Sequence, residues 1–128
     1  MRKFLIVYAA ALVAMLVPDG VWLAWAGGRL YRPALGDLLA ESFQPAPAIL
    51  FYLVYVVGLT VLSRAETVVA SAARGALFGF CAYATYDLTN EATLRHWPVY
   101  LTAADLAWGT VLSAFAACVA ALVRRRLA

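Results

Sequence analysis

From Phe4 to Ala26 the chain runs for about twenty-three residues with one charged side chain, Asp19, long enough to cross a bilayer as a helix. Hydrocarbon offers no partner to backbone N–H and C=O groups, so a run of this length must close its hydrogen bonds within itself. Three further apolar stretches follow, at 46–62, 65–90 and 99–123. With 66% apolar residues, 13% charged residues and a mean hydropathy of +0.84, the composition is that of a membrane protein rather than a soluble globule. The fold class expected is all-α: a four-helix transmembrane bundle forming a single integral membrane domain.

Local signals set the helix ends. Arg2 and Lys3 before the first run, with Ala24-Trp25-Ala26 near its end, have the outline of a signal peptide, but the apolar stretch is long enough to span and is read as the first helix. Pro18 removes one backbone hydrogen bond inside it and predicts a kink. Gly27 and Gly28 are expected to end that helix. The mixed segment after them, with Leu35, Leu38 and Leu39 at helical spacing, predicts a partly helical loop in the membrane interface. Pro45 and Pro47 open the second span. Ser63-Arg64-Ala65-Glu66 reads as a capping box with Ser63 as N-cap, which predicts a tight hairpin into the third span. Gly75 and Gly79, with Ser71 one step earlier, form a small-residue row that lets a neighbouring backbone approach. Trp97-Pro98 marks the start of the fourth span.

Seven basic residues (Arg2, Lys3, Arg64, Arg74, Arg124, Arg125, Arg126) fall at one end of this arrangement and three (Arg29, Arg32, Arg95) at the other. By the positive-inside rule both termini of this multi-pass chain are expected in the cytoplasm. The net charge of +3 comes from arginines at span ends, not from a basic face with interleaved aromatics, so anionic lipid is the expected partner and nucleic acid is not. Cys81 and Cys118 lie in different apolar runs, His96 is the only histidine, and no metal-ligand spacing or cofactor motif is present.

The carboxylates carry the chemistry, because a charged group at membrane depth needs a reason to be there. At 1.5 Å per residue, Asp19 lies about 24 Å from Lys3, Asp87 about 20 Å from Arg74 and Asp105 about 28 Å from Arg124. Three spans therefore bring acids to similar depth in the outer half of the bundle. Trp22 follows Asp19 by three positions, Asn90 follows Asp87, and Trp108 follows Asp105, so each pair shares a helix face. Tyr86 and Tyr55 complete the candidate ligand-binding set: Asp19, Trp22, Tyr55, Tyr86, Asp87, Asn90, Asp105 and Trp108. Three close carboxylates do not all stay ionised in a low dielectric unless a cation joins them.

These residues also carry a resemblance. Asp19-x-x-Trp22, Phe51-Tyr52-x-x-Tyr55, Tyr86-Asp87-Leu88-Thr89-Asn90-x-Ala92-Thr93-Leu94, Trp97 and Asp105-x-x-Trp108-Gly109-Thr110 make the chain resemble the bacterial membrane-protein family known as domain of unknown function 2177. The resemblance implies a small four-span inner-membrane protein and no established activity. The position of Glu91 is usually apolar in that pattern, so the resemblance does not bring it into a shared site.

Three functions fit these features. The first is binding or transport of a cation, a proton or a small amine-bearing molecule, with tryptophans as an aromatic wall and a homodimer where transport is involved. The second is an intramembrane enzyme acting on a lipid or other apolar substrate through aspartate acid/base chemistry. The third is a structural or accessory subunit whose polar residues only lock helices together.

Overall fold

A computed structural model describes all residues, 1–128, and is 86% helix with no strands. Four helical units are long and apolar enough to cross a membrane: Arg2–Leu38, Pro45–Leu62, Val68–Thr93 and Val99–Leu127. We label the α-helices α1 (Arg2–Ala26), α2 (Arg32–Leu35), α3 (Pro45–Leu62), α4 (Val68–Thr93) and α5 (Val99–Leu127).

The first unit departs from expectation. Gly27 and Gly28 do not end the helix: Gly27 keeps helical dihedrals, its N–H bonds to the Leu23 carbonyl, and Gly27–Tyr31 continue as a π-helical turn into α2. The wider turn is easily made where two successive residues lack side chains. In place of a distinct amphipathic helix there is one α-turn and a short 3-10 segment, Gly36–Leu38. The α-helix stops at Gly36, whose φ of 47° is a conformation that favours glycine. Pro18 lies within a continuous α1.

The α3–α4 connection also differs. Ser63 is not an N-cap, because it closes the last turn of α3 in helical conformation with its N–H on the Leu59 carbonyl at 3.0 Å. Thr67, with the extended backbone an N-cap requires, accepts instead from the Ala70 N–H at 3.0 Å, so α4 starts at Val68. Arg74 turns back to donate to the Arg64 carbonyl at 2.5 Å and ties this loop down. Although the loop is short, α3 and α4 touch only slightly; α5 packs against α4 and α1, and α1 against α3.

The buried apolar core joins Val7, Ala11 and Met15 of α1, Tyr55, Val56 and Leu59 of α3, and Leu112, Ala116, Ala117 and Ala120 of α5. Large apolar residues such as Val17, Val21, Leu50, Leu77 and Val111 face outward. Such an apolar perimeter fits a hydrocarbon surrounding.

The closest helix approach is between α4 and α5. Ser71, Gly75, Gly79, Tyr83 and Asp87 form an every-fourth-residue row on α4, and Asp105, Gly109, Ser113 and Ala117 form one on α5. A methyl group added at Gly75 would come to 2.7 Å from the Ser113 carbonyl oxygen, and one at Gly79 to 2.6 Å from that of Gly109. Gly109 in turn makes room for the Tyr83 ring. Antiparallel packing along these rows carries Asp87 to Asp105.

Gly79→Ala should therefore destabilise the protein by about 1–3 kcal/mol through overpacking. Gly20→Ala, where nothing lies within 4 Å, should leave stability unchanged or slightly raised. Thermal unfolding of the two variants in the same detergent measures the difference.

Candidate functional site

A cavity of about 490 Å³ lies among α1, α3, α4 and α5, bounded by Asp19, Leu23, Tyr31 and Leu35 from the first unit, Phe51, Tyr52 and Tyr55 from α3, Ala82, Tyr83 and Tyr86 from α4, Trp97 from the α4–α5 loop, and Asp105 and Trp108 from α5. The slight contact between α3 and α4 leaves this space open. No basic side chain lines it.

Each carboxylate has a different environment. Asp19 is 6% exposed and accepts from the Trp108 indole N–H at 2.9 Å and from the Tyr52 hydroxyl, which joins α1 to α5 and α3. Asp105, 7% exposed, accepts from the Tyr31 hydroxyl at 2.6 Å, and Tyr31 accepts from the Trp22 indole N–H at 3.0 Å. The Trp22 and Trp108 rings stack with centroids 4.8 Å apart and planes 9° from parallel, holding the two relays side by side.

Asp87 is the exception. It is 0% exposed, and neither carboxyl oxygen has a hydrogen-bond donor. Its side chain neighbours that of Asp105 where the packed rows of α4 and α5 continue past Tyr83 and Gly109, with Glu91 the next acid along its own helix. Two ionised carboxylates can only repel here; a proton on either makes the hydrogen bond that Asp87 otherwise lacks.

Of the residues singled out from sequence, Asp19, Tyr55, Tyr86, Asp105 and Trp108 line the cavity. Asp87 stands behind Asp105, and Trp22 stands behind the wall it forms with Trp108 and Tyr31. Asn90 is half-buried one turn beyond Asp87 and does not line the cavity. Asp19 and Asp105 share the cavity wall while Asp87 does not reach it, and no group of three acidic, histidine or cysteine side chains is placed to hold a metal ion. Tyr55 bonds Ser113 at 2.6 Å, joining α3 to α5. Thr89 and Thr93 return to backbone carbonyls of α4, at 3.0 and 2.7 Å, and so add nothing to the cavity. Glu91 accepts from Thr102 at 3.2 Å, which accepts from Trp97 at 3.0 Å, a relay that fixes one of the lining indoles.

Tyr31, Tyr52 and Tyr83 are cavity residues outside the sequence-derived set. Tyr52 had a signal, since it sits three positions from Tyr55 on one helix face. Tyr83 had one too, four positions before Asp87. Tyr31 had none, because its position depends on the π-turn across Gly27 and Gly28.

Fold and composition together define an integral membrane protein with four candidate spanning helices. Residues 4–122 match the family described as "Predicted membrane protein (DUF2177)", and the chain belongs to that family. No curated protein and no solved structure matches it.

The relay predicts an unequal response to loss of single hydroxyls. Tyr31→Phe leaves buried Asp105 without its donor and should cost about 1–3 kcal/mol. Tyr100→Phe, at an exposed tyrosine, should change stability by less than about 0.5 kcal/mol. Comparison of detergent melting curves gives both values.

Proposed function

We propose that this protein binds a compact organic cation, such as a protonated amine, in the cavity and releases a proton in exchange. The observation that carries the reading is Asp87, fully buried and without a donor, set against the carboxyl of Asp105. In the empty protein one proton is shared by this pair. A cation arriving beside Asp105 and Asp19 supplies the positive charge instead, and the proton leaves.

Other features support the same reading. The lining has two carboxylates and no basic group to neutralise them. Its tyrosine and tryptophan faces attract a cation that has shed water. Its size falls within the range of small-ligand pockets. Movement of a cation across so narrow a bundle calls for a second copy, so a homodimer belongs to the transport form of this proposal. We set the protein in the bacterial inner membrane; the excess of basic residues at the end that carries the termini supports a cytoplasmic location for both, which would set the cavity in the outer half of the bilayer.

Tetramethylammonium and phenethylammonium are suitable probes. Added to weakly buffered, detergent-solubilised protein with a pH indicator dye, at least one should release about one proton per chain. Asp87→Asn should bind the same cation with no proton released, because an amide keeps the shape and donates to Asp105 without a titrating proton. Wild-type protein that binds neither probe, or binds with no proton released, rejects the proposal.

Orientation has its own test. With Cys81 and Cys118 replaced by serine and a cysteine appended after Ala128, a membrane-impermeant maleimide should label permeabilised cells and leave intact cells unlabelled. Strong labelling of intact cells reverses the topology.

A further inference from the structure

At the opposite end of the bundle from the aspartates, α1, α3 and α5 enclose a second cavity, of about 410 Å³. Lys3, Arg64 and Arg124 line it from three separate chain segments, and no acidic side chain does. Ala128 also lines it, so a free α-carboxylate there would offset one of the three charges and leave an excess of two. Arg64 and Arg124 bring like charges to the same cavity from different segments. The α3–α4 loop that carries Arg64 is held in place by Arg74, which donates to the Arg64 backbone carbonyl. The wall also contains Thr60, 3% exposed, whose hydroxyl has no hydrogen-bond partner. The remainder is apolar, including Phe4, Val61 and Leu127.

We infer that this cavity is a binding site for a phosphate group, and that the group belongs to an anionic lipid. Converging cations and an unused hydroxyl are the chemistry of phosphate recognition. The apolar wall adjoining them fits the acyl or glycerol part of a lipid better than it fits a free anion. The site is independent of the aspartate cavity and of the function proposed for it.

The full chain, reconstituted into nanodiscs of mixed phosphatidylcholine and phosphatidylglycerol, can be assayed for retained lipid by native mass spectrometry. Phosphatidylglycerol should be retained preferentially, and Arg64→Gln with Arg124→Gln should reduce retention at least about tenfold. Arg2→Gln with Arg126→Gln removes the same charge outside the cavity and should leave retention unchanged. Thermal shift of lipid-free protein with inorganic phosphate distinguishes the source: stabilisation lost in the first pair, without phosphatidylglycerol retention, supports the phosphate site and assigns it to a soluble anion. Should the arginine pair fail to fold, Thr60→Val carries the test, weakening retention several-fold at unchanged melting temperature. Equal loss in the two arginine pairs, no effect of Thr60→Val when it is the only folded variant, or no binding of either probe overturns the site.

Discussion

The close approach of α4 and α5 is the constraint on which the rest of the structure depends. Glycine at positions 75, 79 and 109 lets the helices meet at distances a side chain would forbid. The contact rows then extend past the glycines, through Tyr83 to Asp87 on α4 and by one turn to Asp105 on α5. Two buried carboxyls are pressed together by packing that is itself purely steric. Association gained along the small-residue rows offsets the cost of burying acids beside each other, so stability at one end of the contact sustains chemistry at the other.

The same arrangement divides the molecule by charge. Lys3, Arg64 and Arg124 gather where the termini and the α3–α4 loop meet, while Asp19, Asp87 and Asp105 lie near the other end. Between them the core is mostly aliphatic, with Ala116, Ala117 and Ala120 of α5 in the same cluster as Met15 and Leu59. Each cavity therefore presents side chains of one sign of charge in a low-dielectric frame, where fields fall off more slowly than in water.

Much of this was legible in the sequence because it rests on periodicity. The four spans and the Gly75–Gly79 row follow from counting residues along helices. What escaped depends on how helices rotate and continue. A glycine pair reads as a stop, yet Gly27 and Gly28 carry a π-turn that returns Tyr31 to Asp105. Ser63 reads as the cap of the third span, yet its helical backbone conformation rules it out and the extended backbone of Thr67 takes that role. Three acids at one depth suggest a single cluster, whereas two of them receive aromatic donors and the third is left to pair with its neighbour. Hydrogen-bond assignment of that kind is a property of tertiary packing and has no one-dimensional signature.

The brevity of α3 has a consequence for the surrounding lipid. Its 18 residues reach only about 27 Å along the axis, slightly less than a typical hydrocarbon thickness, while the 29 residues of α5 reach about 43 Å. A bilayer touching both must thin locally, or let polar headgroups dip, on the flank where α3 stands. That is also the flank where α3 and α4 diverge around the aspartate cavity. Membrane thickness thus bears directly on how near water comes to that cavity, and a thicker bilayer would press on α3 more than on any other helix of the bundle.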